Sequence, residues 1–179
     1  WTRSRRGAYI LTVARSFIST RSVGKPRAPV ARVREAILDL RRLLAGEDVE
    51  FGPTSTRLRN RSASPTPVYL LAAGPRMIEL AGEVADGAFL MVGLNSAGVS
   101  AARRHLEDGA RRAGRSLVGF PVVFVVTLGL GSDADVGMRW VRSWFAKGQP
   151  FLNYPSVANL RWLKEAGFDP DVVTLVAHA

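Results

Sequence analysis

Apolar and polar positions follow two different periods along this chain. Residues 7–14, 68–73, 88–92 and 121–128 are short uncharged runs rich in Val, Leu, Ala and Phe, and they read as strands. The run over 121–128 is continuously apolar after its proline, as expected of a parallel strand covered on both faces. Between the strands the spacing lengthens to three and four residues. Val30, Val33, Ile37, Leu40 and Leu44 share one face of a helix over 29–45, with Arg, Glu and Asp opposite and Gly46 as its stop. A second helix over 76–85 opens at Gly74-Pro75, since proline suits the first helical turn. A third spans 97–113 and ends at Gly114. From Asp133 onward the chain reads as mostly helical, with Ser132 as N-cap, Asp133 and Asp135 as first-turn acids, and Trp140, Trp144 and Trp162 as packing residues. Residues 147–156 break those helices, and residues 52–66 read as an irregular Arg/Ser/Pro loop.

Strand and helix thus alternate four times, which predicts an α/β fold built on a parallel sheet. Four units cannot close an eight-stranded barrel. An open four-stranded sheet and half of a (β/α)8 TIM barrel both fit, in either case as a single domain over residues 1–179.

Composition narrows the classes of function. The 179 residues contain no cysteine and two histidines, His105 and His178, so a disulfide framework, a thiolate metal site and a histidine-rich zinc site are excluded, and no metal is expected. The longest uncharged run, 116–132, is short for a membrane span and contains Gly and Pro. No signal-peptide pattern precedes it, which points to a cytoplasmic location with no membrane partner. The net charge of +10 sits almost wholly in residues 1–62, where fourteen basic residues meet five acidic ones. Twenty-two of the 25 basic residues are Arg, whose planar fork suits phosphate and carboxylate. Two clusters stand out, Arg3, Arg5 and Arg6, and Arg57, Arg59 and Arg61. A nucleic-acid footprint is one reading of them. A solvated surface is the preferred one, because interleaved aromatics and helix-turn-helix or zinc-finger spacing are missing.

The loop after the second strand carries the most chemistry. Ala73, Gly74, Pro75 and Arg76 put small residues at a strand's carboxyl end, followed by a helix start whose free amides and positive dipole end suit phosphate. An ordinary βα turn is the competing reading. Arg15, at the exit of the first strand, supplies a second guanidinium on the functional side of such a sheet. His105, among Arg103, Arg104, Glu107 and Asp108, reads as an exposed helix residue rather than a base. Gly129-Leu130-Gly131 lacks the third glycine of a dinucleotide fingerprint, and no serine sits in a nucleophile elbow. With no acid–base or nucleophile constellation of its own, redox chemistry in this chain needs a cofactor.

The segment over 68–88, with Ala72-Ala73-Gly74-Pro75 and then Leu80-Ala81-Gly82 leading to Ala85-Asp86-Gly87, resembles the luciferase-like monooxygenase superfamily. It looks closest to the branch using the deazaflavin coenzyme F420, which includes methylenetetrahydromethanopterin reductase-like enzymes. Glu107-Asp108-Gly109-Ala110 through Ala113-Gly114-Arg115 resembles that family's Glu-x-Gly-Ala-x-x-Ala-Gly-Arg helix end, and Leu163 to Phe168 fits its later helices. The resemblance spans roughly residues 8–170 and implies a fragment of a (β/α)8 barrel, strands four to seven, with the eighth to follow Ala179. It implies a flavin- or deazaflavin-dependent oxidoreductase, with FMN or coenzyme F420 as cofactor, a small organic substrate, hydride transfer or oxygen insertion, and a homo-oligomeric full-length form. The cofactor's phosphate side maps to Ala73, Gly74, Pro75 and Arg76, and the strand-four arginine to Arg15. The family's usual Gly-x-Gly-Arg-Gly-Asp-Ser is here Thr12-Val13-Ala14-Arg15-Ser16-Phe17-Ile18, which loses its glycines and its acid. That departure leaves a decayed pseudoenzyme as an alternative, beside a non-catalytic nucleic-acid-binding protein. The isolated chain, with open sheet edges, is expected to be inactive and to dimerise or aggregate.

Overall fold

A computed structural model describes residues 9–15, 23–59, 66–92, 94–126, 129–140 and 164–165. Arg3, Arg5, Arg6, Arg61, the altered stretch 16–18, the break over 147–156, Trp144, Trp162 and His178 lie outside the described residues.

The strands are β1 (Leu11–Ala14), β4 (Val68–Ala72), β5 (Gly87–Leu90) and β6 (Val122–Phe124), and they form one parallel sheet in the order β1-β4-β5-β6. Between them run helices α1 (Val30–Ala45), α2 (Pro75–Val84) and α3 (Ser96–Arg112). A two-stranded antiparallel hairpin, β2 (Val49–Phe51) and β3 (Thr54–Thr56), lies between α1 and β4. The hairpin corrects the expected loop over 52–66. Gly52 takes a left-handed φ of 60°, which turns the chain, and the β-branched Thr54 and Thr56 then pair back onto Phe51 and Val49.

The period of two decides which strand residues meet the helices. Val68, Leu70 and Ala72 of β4 and Ala88 and Leu90 of β5 are buried in one cluster with Val33 and Ile37 of α1, Ile78 and Ala81 of α2, and Ala102 and Leu106 of α3. Tyr69, Leu71, Gly87 and Phe89 alternate onto the opposite face. There the Tyr69 ring lies where a Gly87 side chain would be, and packs at 5.7 Å from the Phe89 ring. All three helices therefore share one face of the sheet. A doubly wound sheet carries helices on both faces, whereas a barrel carries them only outside, so the arrangement is an arc of a barrel wall.

In α1 the stripe position after Ile37 belongs to Arg41, and Leu38 rather than Leu40 packs on the core. The Arg41 guanidinium donates to the Val84 carbonyl at 2.7 Å and pairs with Asp86 at 2.9 Å. Asp86 in turn accepts the Val68 N–H at 2.9 Å, while its own N–H donates to the Val68 carbonyl. Arg115 donates to the carbonyls of Glu83 and Ala85, with its guanidinium over the Phe120 ring. Two arginines thus close the carboxyl end of α2, where cations are favoured. Gly82 and Gly109 let α2 and α3 touch backbone to backbone: a Cβ at either would collide with the Leu106 or Glu79 carbonyl.

Two further readings are corrected. The helix over 134–140 is capped by Asp133, whose carboxylate accepts the Val136 N–H at 2.9 Å, while Ser132 donates to Asp133 instead of capping. Trp140 is 68% exposed and is no packing residue within the described structure.

Candidate functional site

The parallel register aligns the carboxyl ends of β1 and β4. Ala14 pairs with Leu71, so Arg15 follows abreast of Ala72 and the turn through Ala73 and Gly74. Arg15 is half-buried, and its Nε donates to the Ala28 carbonyl at 2.5 Å, which ties the strand exit to the loop before α1. Burial holds the Arg15 guanidinium below its ordinary value, and the positive charges of Arg27 and Arg76 add to that lowering. Arg27 and Arg76 are therefore both close enough to Arg15, at one end of the sheet, to act on its charge. Like charges gathered in this way favour an anion that would relieve the repulsion.

Gly74 is the N-cap of α2, with φ −126° and ψ 161°, a conformation open to any residue. A Cβ there would meet nothing within 4 Å. Neither backbone nor packing within the described chain requires glycine at this position, and the described residues leave the space above it open. Pro75 stands at the first helical position, and no side chain caps the helix. Two other helix starts differ. Asn95 caps α3 by accepting the Gly98 N–H at 2.8 Å, and Asp133 fills the start of the helix over 134–140. The start of α1, which follows Arg27, Ala28 and Pro29, likewise has no side-chain cap, so α1 and α2 both present uncapped amino ends beside these arginines.

Arg15, Ala73, Gly74, Pro75 and Arg76 are thus adjacent at one end of the sheet. Arg27 joins them and was missed by sequence reasoning. Its only signal was a basic residue in the loop holding Gly24 and Pro29, which charge counting does not single out. His105 is corrected in the other direction. Its ring is largely buried on the outer side of the helices, with Nδ1 3.1 Å from Glu79 and Nε2 3.4 Å from Glu165. Arg112 pairs with Glu79 and Arg104 with Glu165, so this group is an ion cluster between elements, remote from the strand ends. The basic excess of the first 62 residues is also partly engaged: Arg32, Arg34, Arg41, Arg42 and Arg57 each pair with a carboxylate.

A parallel barrel arc with arginines at the carboxyl side of its strands defines the class: a partial (β/α)8 barrel. The chain belongs to the luciferase-like monooxygenase family, whose sequence profile matches residues 10–172. It is 27% identical over 159 residues to a 5,10-methylenetetrahydromethanopterin reductase of Archaeoglobus fulgidus, covering 84% of this chain and 45% of the relative. It is 30% identical over 122 residues to an F420-dependent glucose-6-phosphate dehydrogenase of Nakamurella multipartita, covering 65% of this chain and 36% of the relative. The fold is shared with the coenzyme F420-dependent tetrahydromethanopterin reductase of Methanopyrus kandleri, at a TM-score of 0.66 and 22% identity over 90% of this chain and 51% of that one. It is also shared with an F420-dependent secondary alcohol dehydrogenase solved with an F420-acetone adduct, at 0.71 and 18% over 95% and 56%. The chain spans about half the length of the relatives it matches or less. No helix among the described residues is long and apolar enough to cross a membrane.

Proposed function

We propose that this chain is the cofactor-anchoring part of a cytoplasmic, deazaflavin-dependent oxidoreductase that transfers hydride to or from a small organic substrate. In this reading residues 1–179 are one partial barrel domain, and the complete enzyme is a homo-oligomer. The carrying observation is that Arg27 and Arg76 both lie close enough to Arg15 to act on its charge, with Arg76 in the first turn of α2, whose start has no side-chain cap. The anionic side of the cofactor takes this place, with Arg15 and Arg76 as charge partners and the Ala73-Gly74-Pro75 turn allowing backbone approach. The space that the described residues leave over Gly74 and the guanidiniums of Arg15, Arg27 and Arg76 fit a phosphate. Coenzyme F420 is preferred over FMN because the relatives named above are F420-dependent or methanopterin reductases. When bound, the deazaflavin supplies two-electron hydride chemistry that no side chain here provides. The protein's own share would be to fix the cofactor's charged end through Arg15, Arg76 and the Ala73-Gly74-Pro75 turn.

The test is fluorescence titration of the full-length protein with coenzyme F420 and with FMN. The expected result is F420 binding that Arg76→Gln weakens about tenfold, the loss of one charge-assisted contact. Gly74→Val should weaken it at least as much with folding intact. No binding of either cofactor, or binding indifferent to both substitutions, overturns the reading.

A further inference from the structure

One side chain ties the exit of β1 to the loop before α1. The Arg15 Nε–H donates to the Ala28 carbonyl at 2.5 Å, and Ala28 itself packs against the core. Prolines flank the Arg27-Ala28 pair: Pro26 precedes it, and Pro29, the N-cap of α1 with φ −58° and ψ 153°, follows. A proline ring fixes its own φ and restricts the residue before it, so the backbone on both sides of Arg27 has little freedom. Arg27 is exposed on this fixed segment, whereas Arg15 is half-buried. The hydrogen bond thus draws Arg15 toward a loop whose own guanidinium repels it. A shared anion between the two removes that conflict.

We propose that Arg27 is a binding residue for the phosphate this site receives, and that Arg15 positions it through the hydrogen bond from Nε to the Ala28 carbonyl. This inference rests on the oxidoreductase reading for the identity of the ligand, and it adds a residue and a division of labour to the site. A guanidinium carries one N–H on Nε and four on its terminal nitrogens. With Nε committed to Ala28, Arg15 offers an anion its terminal pair. Lysine at this position would keep the charge but concentrate its donors on one nitrogen, so it could not hold the Ala28 carbonyl from mid-chain and reach an anion beyond it. Because the loop is fixed before the ligand arrives, Arg27 makes its contact with little further ordering.

The experiment is a double-mutant cycle on the full-length protein, read by fluorescence titration with coenzyme F420 and by phosphorus-31 NMR titration with inorganic phosphate. Arg27→Gln should weaken F420 binding about tenfold, and Arg27→Lys should recover part of the loss. Arg15→Lys should weaken binding about tenfold in the parent and no more than about twofold beside Arg27→Gln, where the residue it positions is gone. A merely structural role for Arg15 would give the same loss in both backgrounds. Pro26→Gly, at an exposed position, serves if Arg15→Lys misfolds: it loosens the loop, and should weaken binding about threefold in the parent and leave the Arg27→Gln protein unchanged. Binding indifferent to Arg27→Gln overturns the proposal and leaves the oxidoreductase reading in place. An equal loss in both backgrounds, from Arg15→Lys or from the proline variant standing in for it, does the same. If F420 does not bind but inorganic phosphate does, with this dependence on Arg15 and Arg27, the deazaflavin reading falls and the positioning of Arg27 stands. If neither binds, both fall.

Discussion

At the amino ends of β4 and β5, polar groups are answered within the chain. Val68 and Asp86 exchange hydrogen bonds, Arg41 pairs with Asp86, and Arg41 and Arg115 take the carbonyls that end α2. At the carboxyl ends of β1 and β4, the charges of Arg27 and Arg76 act on Arg15, the start of α2 has no side-chain cap, and the described residues leave the space over Gly74 open. The first region is closed and the second waits for a partner. The residues that make the family legible fall mostly in the closed region. Gly82 and Gly109 are helix contacts, Asp86 ties β4 to β5, Gly87 lies under Tyr69, and Arg115 finishes α2. Such a motif certifies a scaffold. It says little about chemistry, which this fold assigns to the other end of the strands.

Substitutions at glycines probe that contrast most strongly. Gly109→Val drives a branched side chain into the Glu79 backbone, where α2 cannot yield without leaving the core. The expected loss is about 3 kcal/mol or more in urea unfolding. Gly74→Ala places a Cβ in open space at a permitted φ, and stability should change by less than about 1 kcal/mol. If the two cost the same, the division between closed and open regions is wrong.

Asp86→Ala comes next. It strips the Val68 N–H and the Arg41 guanidinium of their acceptor at a partly buried junction, and about 2 kcal/mol should be lost. Asn at this position keeps an oxygen for Val68 and should recover part of the loss. An Asp86→Ala variant as stable as the parent would show that the junction is held by packing alone.

The same contrast explains what was legible in the sequence. Strand and helix order could be read because each buried run is continuous and each helix has a stripe and a stop, as with Gly46 at φ 82°. The choice between open sheet and barrel arc could not, since it depends on which face the helices share. Hairpin β2–β3 escaped because three polar residues, Thr54, Ser55 and Thr56, give no apolar signal. Arg15 and Gly74 to Arg76 were readable as strand-end residues. Arg27 was not, because its role comes from proximity across a loop. His105 looked exposed from its charged neighbours on α3, yet its ring faces Glu79 and Glu165, which come from other parts of the chain.

Helix starts give a smaller effect of the same kind. Asn95→Ala removes the acceptor for the Gly98 N–H and should cost about 1 kcal/mol, a typical N-cap loss. Arg76→Ala, at a start with no side-chain cap to lose, should leave stability nearly unchanged while impairing phosphate binding. Equal destabilisation by the two would mean that α2 is capped after all by its own residues.

The smallest expected effect lies in the ion cluster around His105. Burial pushes the Glu165 carboxyl up, but hydrogen bonds from Arg104 and His105 outweigh it and hold the group below its ordinary value. A carboxyl depressed in the folded state lends stability that is fully present above its unfolded value, about 4.3 for glutamate. That stability is lost as pH falls through the lower folded value. Contact between α3 and Glu165 should therefore survive as pH falls to the free glutamate value of about 4.3 and fail only below it. Carbon-13 NMR of the Glu165 carboxyl should give a midpoint below that of glutamate in a free peptide, and Arg104→Gln should move it upward. The pair is substantially exposed, so the change in global stability should be slight and reduced further by salt. A midpoint at or above the free-peptide value would mean that burial, not pairing, governs this carboxylate, and that Arg104 and His105 do not hold it against α3.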